Sequence, residues 1–170
     1  MSNKLVFSIA LFLFCYRLAL AETTIPDAIK VPDGNKSLLT VPAKGDQIYL
    51  CGLEAGVYTW KWQAPDAKLF DSQKQTLVGS HGAGPSWEYR DGSSAKAKVI
   101  QKVDAPDKAN VPWLLLEVTQ HKGDGLLAQA SYIQRINTQG GVSPSSGCDT
   151  NHIGAEQRVP YSADYNFYSK

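Results

Sequence analysis

One histidine, His81, lies in the stretch GSHGAGPSW, between glycines and just ahead of Trp87. A histidine so placed is accessible enough to bind a metal or move a proton. The same stretch reads equally well as a turn. His81 would then hydrogen-bond to backbone, and Gly82 and Gly84 would serve positive φ or close packing. A metal centre needs further ligands, and the other two histidines, His121 and His152, fall in separate loops. No HxH, HExxH or CxxC pair is present, so neither a metal nor a cofactor is assigned. Ser80 and Ser86 flank His81, but neighbours along an extended chain point apart, and there is no GxSxG elbow. Asp71, Glu88, Asp91 and Glu117 supply carboxylates. Glycoside cleavage needs two of them at a set separation across a cleft. Glu88 and Asp91 read instead as flanks of a hairpin turn. Glu117 sits in a very apolar strand and must find a partner such as Arg135.

The aromatic residues carry more. Trp60, Trp62, Trp87 and Trp113, with Tyr58 and Tyr89, are many for a chain of this size. Flat rings on a rigid sheet stack on sugars and other flat ligands, and an indole N–H adds a hydrogen bond. Trp60 and Trp113 read first as core. Trp87 follows the glycine loop directly, so the candidate ligand-binding set is Trp87 beside His81, with Asp71 or Arg90 nearby. The loop from Gly140 to Asp149 can cradle an anion through backbone N–H groups. Its plainer reading is a connection pinned by a disulfide.

Short strands broken by turn residues must position these side chains. Residues 47–53 (QIYLCGL) form the first, and Ala55-Gly56 turns the chain. In 57–63 (VYTWKWQ) Tyr58, Trp60 and Trp62 share one face. Ala64-Pro65-Asp66 reads as a further turn, with weaker strands at 67–71 and 75–79. Residues 86–90 precede Asp91-Gly92, a strong hairpin signal, and 96–103 alternates again, with Ala97, Val99 and Val103 inward. PWLLLEVT (112–119) is continuously apolar, as in a strand buried on both faces. The last clear strand is 130–137, and the aromatic tail 159–168 packs back on the domain. No segment keeps a 3.6-residue period over a dozen residues. The expected fold is all-β, a mostly antiparallel β-sandwich or barrel with long loops and one disulfide.

The N-terminus sets the compartment. A short polar start with Lys4, an apolar run from Leu5 to Cys15, and Ala19-Leu20-Ala21 make a secretory signal peptide over 1–21. The run is too short for a membrane span, so no stable span remains after cleavage. An extended arm over 22–45 and a single β domain over 46–170 follow. Removing the signal takes Lys4 and Arg17 from the 17 basic residues and none of the 16 acids. With no basic patch, nucleic acid is a poor partner. In an oxidising compartment Cys51 and Cys148 pair. The expected location is secreted or periplasmic.

The blocks QIYLC, YTWKWQAPDAKLFD, GSHGAGPSWEYRDGS, VPWLLLEV, SYIQRINTQGGVSPSSGCD and VPYSADYNFY, in that order, carry a resemblance. From about Val41 to Tyr168 the chain resembles the secreted bacterial and fungal family called domain of unknown function 3455. The resemblance implies export and membership, not a mechanism. Some fungal members bear the label malate dehydrogenase, which this sequence does not support: it has no GxGxxG after a strand and no βαβ rhythm. The function expected is non-catalytic binding of a carbohydrate or small molecule at the cell envelope or outside the cell. The rival classes are an exported enzyme, either metal-dependent through His81 or acid/base through Asp71 and Glu88, and a structural or protein-interaction module.

Overall fold

A computed structural model describes residues 23–170; the signal segment lies outside them. Eight antiparallel strands close into a barrel in simple sequence order: β1 (Lys36–Glu54), β2 (Val57–Phe70), β3 (Leu77–Gly82), β4 (Ser86–Tyr89), β5 (Ser94–Val103), β6 (Trp113–Lys122), β7 (Tyr132–Gly140) and β8 (Glu156–Ser169). Pairing of β1 with β8 completes the circle and leaves the sheet no free edge along its closed belt. Of the two architectures expected, the barrel is the one formed.

Several readings differ from the sequence expectation. The tail read over 159–168 is itself a strand, β8, paired with β1 and β7, and two proline-bearing stretches belong to strands. The arm read over 22–45 is shorter, because β1 begins pairing at Lys36 with Ser169. The turn read at Ala64-Pro65-Asp66 is continuous strand within β2. Proline suggested a break at both places. Yet Pro42 precedes the first β1–β2 pair, Ala43 with Leu69, and Pro65 lies beyond the last β2–β3 pair, Ala67 with His81. Each proline therefore has a partner strand on one side only, where a missing N–H costs little.

The interior is filled by contrast in size. Ala43, Ala67, Ala95, Ala97 and Ala163 make room for Trp87, Tyr161, Tyr165 and Phe167 in one buried cluster. Gly45 extends the pattern, since a Cβ there would overlap the Asp66 carbonyl and Ala67. β6 buries both faces, as its unbroken apolar run requires. Leu116 joins the barrel interior with Leu114 packed against it, while Trp113 and Leu115 pack outside with Ile29, Ala105 and Ile136. The N-terminal segment thus covers the outer face of β6, and Gln134 Nε2 pins it by donating to Ile29 O at 2.8 Å.

β3 and β4 are short, and their shortness shapes the site. The β2–β3 ladder stops at Ala67, and the β4–β5 ladder stops at Lys96. Beyond them, residues 57–66 of β2 and 97–103 of β5 have no partner strand on the side of the β3–β4 hairpin. The wall is notched above the hairpin turn. The Cys51–Cys148 disulfide, with Cα atoms 5.3 Å apart, ties the β7–β8 loop to β1. Trp60 Nε1 donates to Ser146 O of the same loop at 2.8 Å. Trp60 is thus half-buried under a loop rather than in the barrel interior.

Candidate functional site

GSHGAGPSW is the β3–β4 hairpin. Gly82 pairs with Ser86, and Gly84 takes a left-handed φ of 69° between them. His81 and Trp87 are direct cross-strand partners, and their rings stack with centroids 4.3 Å apart and planes 8° from parallel. Tyr165 closes edge-on against both, at 4.9 and 5.5 Å. His81 and Trp87 are buried, at 5% and 1% exposure. His81 Nδ1 lies 2.9 Å from Ser86 O. That carbonyl can only accept, so Nδ1 carries the proton and Nε2 the lone pair. Burial is the main cause that pulls the His81 pKa down to about 3; the Ser86 carbonyl opposes it, and the Arg135 charge adds to it. At neutral pH the ring is therefore uncharged.

Around this stack lies a cavity of about 60 Å³, lined by Trp62 and Pro65 of β2, His81, Pro85 of the turn, Trp87, Val99 of β5, Leu114 and Leu116 of β6, Arg135 of β7 and Tyr165 of β8. Every strand but β1 contributes, so the space reaches the barrel interior. Trp62 and Val99 are each 47% exposed and stand on the two sides of the notch. Trp62 Nε1 donates to Gln47 Oε1 at 2.5 Å, which fixes the indole at the rim. The volume admits a few water-sized groups, at roughly 10–15 Å³ each.

The other sequence candidates go elsewhere. Asp71 stands at the β2–β3 turn, where Oδ1 accepts the N–H groups of Gln73 and Lys74 at 3.0 and 2.7 Å. These bonds, the one to Lys74 foremost, hold its carboxyl below the usual range. Arg90 is exposed at the same far end of the hairpin, its guanidinium 5.7 Å from the Tyr89 ring centre. The hairpin thus brings His81 and Trp87 together and keeps Asp71 and Arg90 away from them. The three histidines stay apart: His121 bonds Ala130 O, and His152 pairs with Asp149. Among the described residues no group of three or more His, Cys, Asp or Glu is placed to hold a metal ion.

One pairing is corrected. Glu117 meets Lys98 at 2.9 Å, not Arg135. Parity explains it: Arg135 lies across from Leu114 and shares its face with Ile133, and Glu117 belongs to the opposite face of β6. Arg135 therefore enters the pocket without the carboxylate expected for it. Counting in twos from Ile133 would have put Arg135 indoors from sequence. Tyr165 was seen only as part of a tail that packs back. Val99, read from alternation as inward, does line the pocket but stands half-exposed at its rim, because the notch depends on where short ladders stop.

Comparison with curated proteins and with solved structures gives no match. A family model described as protein of unknown function (DUF3455) matches residues 32–169. That span takes in all eight strands, both cysteines and every residue of the pocket. The chain belongs to this family of proteins of unknown function.

Proposed function

We propose that the protein is a non-catalytic binder of a small molecule, taken end-on through the notch into the barrel wall pocket. The observation that carries this is the space itself. In an eight-stranded barrel, side chains fill the interior or leave room for one small ligand. Here an apolar pocket with a few convergent polar groups opens between two half-exposed residues, Trp62 and Val99.

Chemistry argues against turnover. A general base works best with a pKa near the operating pH, and His81 lies far below it. Asp71 is tied into its turn, and Glu88 is exposed on β4. A carbohydrate is the weaker ligand class, because the buried Trp87 has one ring face covered by His81. Sugar stacking would fall to Trp62 and Tyr58, the half-exposed rings of β2. Binding outside the cell or at the envelope fits the Cys51–Cys148 disulfide. No helix among the described residues is long and apolar enough to cross a membrane.

Val99→Trp tests the reading, because a bulky ring at an exposed rim position plugs the mouth without entering the core. In a thermal-shift screen of small-molecule fragments, ligands of the wild-type protein should lose about tenfold or more in affinity for the variant. Variant binding equal to wild type would place those ligands elsewhere and contradict the proposal.

A further inference from the structure

The pocket's polar groups are out of balance. The Arg135 guanidinium lines it, donating from Nε and Nη2 to Pro112 O at 3.2 and 2.8 Å. The ion pairs among the described residues involve Lys30, Lys61, Lys98, His152 and Arg158, and none involves Arg135. Its charge is felt across the interior. It counters the upward pull of burial on the hydroxyls of Tyr49, Tyr161 and Tyr165 and pushes His81 further toward neutrality. A buried donor of the lining, Trp87 Nε1, also lacks an acceptor. Against this indole and the guanidinium stand two neutral acceptors, His81 Nε2, since Nδ1 is spent on Ser86 O, and the Tyr165 hydroxyl oxygen, and no carboxylate. The site has donors and one positive charge in excess.

A half-buried cation without a counter-charge is the half of an ion pair that a ligand can complete. A guanidinium fork matches two oxygens of one planar group. His81 adds no second positive charge, so a monoanion balances the site and a dianion overbalances it. The rest of the lining is apolar: Trp62, Pro65, Val99, Leu114 and Leu116. Inorganic phosphate or sulfate would leave that surface uncovered.

We propose that the pocket takes a small monocarboxylate, with the carboxylate on Arg135 and a short apolar or aromatic body between Trp62 and Val99. This rests on the binding reading above and names its ligand class.

The test compares acids with their neutral isosteres on the full, exported protein. Benzoate against benzamide, and butyrate against butyramide, are titrated by calorimetry at pH 7. Each acid should bind about tenfold or more tighter than its amide, as a charge-assisted contact requires. Arg135→Met should bring the ratio to about one, and Arg135→Lys, which keeps the charge and loses the fork, should fall between. Equal binding of acid and amide to the wild-type protein would overturn the carboxylate assignment and leave the pocket reading standing. Silence from acids, amides and a neutral set of phenol, indole and cyclohexanol would overturn both. Arg135→Met also breaks two bonds to Pro112 O, so its fold is checked by near-ultraviolet circular dichroism. If that variant does not fold, the wild-type comparison still decides.

Discussion

His81 shows how a residue suited to chemistry becomes a structural one. Its imidazole is sandwiched against Trp87, edge-on to Tyr165, and its one proton is committed to Ser86 O. The depressed pKa has a stability consequence. Unfolded, the ring takes up a proton near its ordinary value of 6.5; folded, it does so only at about 3. Between these limits the unfolded chain binds more protons, so the stability that His81 contributes is complete above about pH 6.5 and is lost as pH falls toward 3. The His81 ring signals should stay unshifted from pH 8 to pH 5 in an NMR titration, with the proton on Nδ1. The unfolding free energy from denaturant titration should fall between about pH 6.5 and 3, by an amount on the order of a few kcal/mol once other groups are held constant by a His81→Gln comparison. A ring that titrates near 6.5 would mean that the stack is open to water. Arg135 is the converse case. A charged residue at an inward position of β7, opposite Leu114, it bonds Pro112 O but meets no carboxylate among the described residues.

At the level of elements, sequence pattern fared unevenly, for physical reasons. Alternation located β5 and β7 and the Asp91-Gly92 turn, and continuity marked β6 as buried on both faces. Prolines misled, because Pro42 and Pro65 stand at the ends of ladders, where strand and turn look alike in composition. Of the site, the His81–Trp87 pair was legible, since hairpin geometry sets residues flanking a short turn opposite one another. Arg135 and Tyr165 were not legible as neighbours of this pair, and Val99 was legible as an inward position but not as a rim, because all three come from strands whose neighbours are fixed only when the barrel closes. The disulfide was legible from compartment alone and spans 97 residues. Replacing both cysteines, Cys51→Ser with Cys148→Ser, should cost up to about 4 kcal/mol on the loop-entropy view. The barrel should persist, because the β1–β8 ladder is independent of the bridge. Differential calorimetry checks the loss, and collapse of the strand signal in far-ultraviolet circular dichroism would contradict it.

The described residues form a closed sheet with an opening at the β3–β4 hairpin. Closure removes the edges that make β-proteins aggregate, and the short β3–β4 hairpin reopens the wall over Arg135, which pairs with no carboxylate among the described residues. Four indole N–H groups report on this arrangement from different places. Trp62 stands at the rim bonded to Gln47, and Trp87 lies buried without an acceptor. Trp60 bonds the β7–β8 loop, and Trp113 packs outside the barrel under the N-terminal segment. The most direct measurement is a titration of the ¹⁵N-labelled protein with small aromatic and aliphatic ligands, followed at these four signals. Binding in the notch predicts that Trp62 and Trp87 move together while Trp60 and Trp113 stay still. Ligands that move Trp60 or Trp113, or a full set that moves none of the four, would contradict the account.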